Sequence, residues 1–200
     1  MRILTISTGK VAKILVSDGG PVRTVHSAIN KAPVSELSKP LGVFAGHLGL
    51  EQDEQADHNV HGGPGMAVYA YPVEHYPFWE KLLETQNSDL RDLPHGFFGE
   101  NLTVEGFIEK DVFEGDVWTV GEVEFMVEKL REPCFKFDAK IGFPAGPSMI
   151  LSARSGWYLR VLTPGVIHAG DAIEVSPGER LVSIADQNAV TAQKRRLSTD

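Results

Sequence analysis

Between Gly121 and Glu128 the chain alternates: Val123, Phe125 and Val127 fall on one face, with glutamates mostly on the other. A period of two sends successive side chains to opposite sides of an extended backbone, so this run reads as a half-buried strand. Glycine and proline, 20 and 12 residues of 200, interrupt the remainder more densely than a helical bundle tolerates. Further strands are predicted over 2–6, 11–17, 67–71, 101–104 and 158–163. Two similar turns, Gly115-Asp116 and Gly170-Asp171, each feed a new strand. Helices are few. One is predicted over 72–85, with Pro72 at a first helical position and Pro77 making it start late or kink. A short one is capped by Ser148 and ends before Gly156. A third opens at the capping box Ser183-Ile184-Ala185-Asp186 and closes on Lys194, Arg195 and Arg196. Many short strands with a few inserted helices predict a mainly β, barrel-like domain over 1–178, followed by a short helical or flexible tail over 179–200.

A net charge of −8 argues against a general nucleic-acid binder or a protein held on anionic membranes, while leaving room for one local basic pocket. No apolar run approaches the length of a membrane span. The stretch Met1–Ser7 is too short and polar for a signal peptide, and there is a single cysteine; together these predict a cytoplasmic protein.

That cysteine, Cys134, lies in Leu130-Arg131-Glu132-Pro133-Cys134-Phe135 and is approached by the predicted strand. A lone thiol forms no intramolecular disulfide. Pro133 stiffens its approach, and Arg131 and Lys136 bring positive charge that favours the thiolate, the form that attacks electrophiles and ligates metals. A small buried hydrophobe is the competing reading.

A second dense region is Gly49–Gly65. Glycines 62 and 63 after His61 let backbone N–H groups approach an anionic ligand. A metal site from Asp53, Asp57, His58 and His61 has suitable residue types but no standard spacing. An esterase oxyanion loop is ruled out by the missing Gly-x-Ser-x-Gly elbow. In Phe97–Val104, Glu100 and Asn101 offer hydrogen bonds beside an apolar wall, or simply form a turn entering a strand. Lys31 and Arg160 are basic residues in apolar settings, where a solvated side chain competes with a ligand contact.

Taken in order, several runs resemble the MOSC-domain family, named after the C-terminal domain of molybdenum cofactor sulfurases, and within it the YiiM-like branch. They are Gln55-Ala56-Asp57, His61-Gly62-Gly63-Pro64, Val68–Pro72 with His75-Tyr76 and Trp79, Phe98–Leu102, Gly115-Asp116, Arg131-x-Pro133-Cys134, Gly156-x-Tyr158-x-Arg160-Val161 and Gly170-Asp171. The resemblance implies a β-barrel-like fold and a molybdenum cofactor, a pterin whose dithiolene holds the metal. It implies Cys134 as the metal ligand and catalytic residue, and reduction of N-hydroxylated compounds (N-oxygenated bases, hydroxylamines, amidoximes) with electrons from a separate reductase. Lys31, Arg131 and Arg160 would offset the phosphorylated pterin's charge, the His61-Gly62-Gly63 backbone would add donors, and Glu100 and Asn101 would orient ligand or substrate. A cofactor carrier without turnover, or a cofactor- or sulfur-handling module, is the alternative, and a metal-free thiol enzyme a further one. Three departures stand out. Gly65 and Met66 replace the branch's acidic-basic pair, Gln52 replaces a glycine, and the branch's three-helix C-terminal extension is not expected here.

Overall fold

The computed structural model describes all residues except 18–19, 58–61, 89, 91 and 198–200. Among the described residues the strands are β1 (Arg2–Thr8), β2 (Ala12–Val16), β3 (Arg23–Ser27), β4 (Ala32–Glu36), β5 (Val43–Gly46), β6 (Gly49–Leu50), β7 (Val68–Pro72), β8 (Leu102–Glu105), β9 (Val117–Val120), β10 (Val123–Leu130), β11 (Trp157–Thr163), β12 (Gly165–Ile167) and β13 (Glu174–Ser176). The α-helices are α1 (Tyr76–Thr85), α2 (Phe135–Ile141), α3 (Gly146–Leu151) and α4 (Ile184–Leu197).

Eight strands form one sheet in the order β13-β9-β10-β11-β7-β8-β1-β4, antiparallel throughout except for the β7–β8 pair. The sheet curls until its ends meet. Ile3 N–H donates to the Asp171 carbonyl at 3.0 Å, Gly170 N–H to Ile3 at 2.8 Å and Ile173 N–H to Met1 at 3.1 Å. The lead-in to β13 thus lies along the first half of β1 and closes a barrel, which removes exposed strand edges there. A three-stranded sheet, β12-β5-β6, and the β2–β3 hairpin complete the β structure. The fold is mainly β, as the turn-punctuated sequence predicts.

The barrel interior holds Ile3, Ile6, Val104, Trp118, Phe125, Val127, Trp157 and Leu159. A second apolar cluster sits outside the wall. Strand β7 serves both: Val68 and Ala70 face the barrel core, while Tyr69 and Tyr71 join Tyr76, Trp79, Phe98 and Phe137 under α1, α2 and α3. All five β7 residues are buried for this reason, and it explains why Val68–Pro72 shows no simple apolar–polar alternation.

Two helix expectations, at Pro72 and Ser148, change: Pro72 ends β7 and stands in extended conformation before a 3₁₀ turn instead of inside a helix. Pro77 does delay α1, which begins at Tyr76 after a 3₁₀ turn over Val73–His75. Ser148, however, lies inside α3 rather than capping it. Ala145 holds the cap position with no side-chain hydrogen bond, and Pro147 stands in the first turn. The Ser183–Asp186 capping box is formed, with Asp186 N–H donating to Ser183 Oγ at 3.1 Å and Ser183 N–H to Asp186 Oδ2 at 2.9 Å. Ile184 and Asn188 anchor the first turns of α4 in the protein interior. Among the described residues no helix is long and apolar enough to cross a membrane.

Candidate functional site

Strand β10 carries one register shift that decides what the site contains. Val127 pairs with Leu159, but Lys129 pairs with Tyr158 and Leu130 with Trp157. This bulge inserts one residue and reverses the phase of the strand. Leu130 therefore enters the barrel core, and Arg131 is sent to the outer aromatic cluster. Without the bulge, simple alternation from Val127 would aim Arg131 inward, where no partner awaits a guanidinium.

Three residues on, Cys134 stands at the junction of β10 and α2, in an extended conformation, and its carbonyl accepts the first N–H bonds of the helix. Its half-buried thiol lines a cleft together with Lys31, Asp53, Asn101, Arg131 and Tyr158. Arg131 is only 6% exposed. Its guanidinium lies 4.7 Å from the Phe137 ring centre and 5.6 Å from that of Tyr69, and Nη1 donates to Met149 Sδ at 3.1 Å. Among the described residues no carboxylate pairs with Arg131 or with Lys136, which lines the same cleft. Burying a cation without an anion is costly, so the cleft is built to receive negative charge. Burial raises the Tyr158 hydroxyl above its ordinary value, and the nearby Cys134 adds to this while Arg131 opposes it. Tyr158 therefore stays a neutral hydroxyl beside the thiol.

Lys31 is also buried in the cleft wall, but its charge is already matched. Its Nζ donates to Asp53 Oδ1 and Oδ2 at 2.5 Å each. Burial lowers the Lys31 ammonium and the Asp53 carboxylate opposes that shift. Asp53 also accepts the Gly9 amide at 2.8 Å and Asn101 Nδ2 at 2.9 Å. The remaining capacity of Asn101 joins two strands: Nδ2 donates to Ser7 carbonyl at 3.2 Å, and Oδ1 accepts Tyr69 N–H at 3.1 Å. Asn101 thus reaches the cleft as a fully engaged brace.

Glu100, its neighbour, faces the other way. It is completely buried behind the cleft and accepts from Tyr76, Gly96 and Thr103. Arg160 lies outside the cleft lining and is ion-paired with Glu128. Gly62 is buried, and Gly63 has φ 84°, a left-handed angle that suits glycine, with its amide donated to Gln55 Oε1 at 3.1 Å. His61 and His58 lie outside the described residues. The structure thus gathers Cys134, Arg131, Lys31 and Asn101 at one cleft, and sets Glu100 and Arg160 apart from it. Sequence reasoning passed over Tyr69 and Tyr158 as site residues. Their signal was an aromatic on the outward phase of a strand whose inward phase is aliphatic or Trp.

Among the described residues no three His, Cys, Asp or Glu side chains gather to hold a metal ion.

The model of the MOSC domain matches residues 57–174. YflK of Bacillus subtilis, described as uncharacterized, is 36% identical over 193 residues, covering 94% of this chain and 79% of that protein. A Gibberella moniliformis protein named only as a reductase is 36% identical over 135 residues, 66% of this chain but 23% of its own length. The crystal structure of YiiM from Geobacillus stearothermophilus superimposes with a TM-score of 0.73 at 31% identity, covering 97% of this chain and 85% of that one.

Proposed function

The chain belongs to the MOSC-domain family, and on that premise we propose that it binds a molybdenum cofactor in the Cys134 cleft and reduces N-hydroxylated compounds. The observation that carries this reading is the pairing, in one cleft, of a thiol with a buried guanidinium that no carboxylate compensates among the described residues. The donor set suits the group: a soft sulfur for the metal, and Arg131 with Lys136 for an anionic pterin. When bound, the cofactor supplies two-electron removal of oxygen from an N–O bond, with electrons returned by a separate reductase.

The remaining parts follow from this chain's own residues. The Lys31–Asp53–Asn101 network fixes the opposite wall, since each of its polar groups is already engaged. Lys31 therefore contributes rigidity more than free charge. Tyr158 presents a neutral hydroxyl and Tyr69 an aromatic face to whatever lies between Cys134 and Arg131. Gly63, at φ 84°, donates its amide to Gln55, which lines the cleft.

A cofactor carrier without turnover is the second reading. It is favoured by Met66, an apolar residue lining the cleft at a position where the YiiM-like branch carries a charge.

Expression in a host that makes the cofactor, beside Cys134→Ser, tests the reading. Near-stoichiometric molybdenum by mass spectrometry and pterin by fluorescence, with molybdenum lost in the variant, is the expected result. N-hydroxylamine turnover with a competent electron donor separates enzyme from carrier. Neither metal nor pterin in the parent, in cells that load a control molybdoenzyme, would sink both readings.

A further inference from the structure

Glu100 is 0% exposed and sits one residue before the cleft-lining Asn101. Its Oε1 accepts the Gly96 amide at 2.7 Å, the Thr103 hydroxyl at 3.3 Å and the Tyr76 hydroxyl. Its Oε2 has no partner among the described residues, and neither has the Ser7 hydroxyl, also fully buried. Both side chains lie beside Gly96. Gly96 donates to Glu100, and a carbon built on Gly96 would fall 2.9 Å from Ser7 Oγ and 3.1 Å from the Lys31 carbonyl oxygen. Lys31 in turn carries its ammonium into the cleft.

A bare carboxylate oxygen in such a place is costly, whereas a neutral acid beside a bridging water satisfies both orphans. Of the charged groups around it the Lys140 ammonium favours the ionised form, and burial outweighs it. Lys31 is matched by Asp53, and the Lys140 ammonium donates to the Ile29 carbonyl at 3.0 Å over the Phe97 ring. Arg131 stays in its aromatic box, while Tyr71 and Tyr76 are neutral hydroxyls held far above their ordinary value by burial. On the solvent side, the half-buried His95 packs edge-on against Tyr76 at 5.5 Å and contacts Thr5 Oγ1 at 2.5 Å. Burial also raises the Glu100 carboxyl itself, in the same direction as the geometry.

We propose that Glu100 is the proton reserve of the cleft: a neutral carboxylic acid, bridged by an internal water to Ser7, that feeds protons toward the Lys31 side of the site. This rests on the reductase reading. Reducing R–NH–OH to R–NH2 and water breaks the N–O bond, consumes two electrons from the separate reductase and takes up two protons. Glu100 gives one of these protons from Oε2 and is reprotonated from solvent on the Tyr76–His95 side.

Infrared spectroscopy of the cofactor-free protein tests the first half. The carbonyl band of a neutral carboxylic acid is expected at pH 7 in the parent and absent in Glu100→Gln, which keeps the Oε1 acceptor. In loaded protein, Glu100→Gln should lower kcat about 100-fold, the scale of a lost proton donor, with KM unchanged and the acidic limb of the pH profile altered. Ser7→Ala, which leaves Glu100 in place, should lower kcat while keeping the band. No band assignable to Glu100, or a band with unchanged turnover in both variants, overturns the proposal. A loaded parent that turns over no N-hydroxylated compound defeats the reductase reading and the donor role together, and the infrared band distinguishes that failure from an ionised Glu100.

Discussion

The Arg131 guanidinium lies 4.7 Å from the Phe137 ring centre, so the first turn of α2, for which Cys134 is the cap residue, also covers the cation at the cleft floor. Thiol and guanidinium are thereby held by one short element. The arrangement predicts opposite effects on binding and folding. Arg131→Met removes a buried, unpaired charge and keeps apolar contacts with Phe137 and Tyr69. It should leave stability unchanged or raise it by about 1 kcal/mol while molybdenum retention falls about tenfold or more. Thermal melts beside metal analysis of the same samples check this. A melt lowered in step with retention would assign Arg131 to structure alone.

Lys31 and Asp53 form a buried pair whose members are unequal. Asp53 keeps two further donors, Gly9 N–H and Asn101 Nδ2, if Lys31 is removed. Among the described residues the Lys31 Nζ bonds no other carboxylate. Asp53→Ala should therefore cost about 3–5 kcal/mol, the range for stranding a buried charge, and Lys31→Met clearly less. The double variant should lie well below the sum of the singles, which a denaturant double-mutant cycle would reveal. Additive losses would contradict the pairing.

Gln52 has φ 67°, in the left-handed region, in the turn that delivers Asp53 to the cleft. A side chain there is strained by roughly 1–2 kcal/mol, part of which glycine returns through its greater unfolded-state entropy. Gln52→Gly is expected to stabilise by about 0.5 kcal/mol, seen as a small upward shift of the urea midpoint at constant slope. The same position explains why a glycine there, as in the YiiM-like branch, is the unstrained choice.

Much of this fold could be read from residue order. The period of two gave β10, the Gly115-Asp116 turn gave the entry to β9, and Ser183 with Asp186 gave the start of α4. What the sequence concealed was decided by tertiary pairing. The bulge between Val127 and Lys129 has no Gly or Asn to announce it, yet it alone sends Arg131 outward. Strand β7 hides its two-faced role because both faces are buried. For the site, Cys134 and Arg131 were legible from one local run. Glu100 reads as a ligand-orienting residue because a carboxylate beside Asn101 looks the same in sequence whether it faces a cleft or the core. Only the alternation of β8 and its neighbours sets that direction.

Lys140 offers a pH signature that separates burial from chemistry. Burial pushes its ammonium down to about 8, with the Arg131 and Lys31 charges acting the same way. In the unfolded chain a lysine titrates near 10.4. Between these values the unfolded chain holds the Lys140 proton more than the folded one does, so this group's contribution to stability rises as pH increases from about 8 toward 10.4. Below pH 8 both states carry the proton, and the folded state bears the full cost of a charged, largely buried amine. That cost is about 3 kcal/mol at most for a shift of this size, reduced by whatever solvent reaches the Nζ. Lys140→Met should flatten the alkaline rise and stabilise the protein at pH 7, and chemical denaturation of both proteins across pH 6–10 checks it. A parent whose midpoint falls steadily above pH 8, with Lys140→Met following the same curve, would show that the amine is hydrated and that the region behind the cleft is wetter than its packing implies.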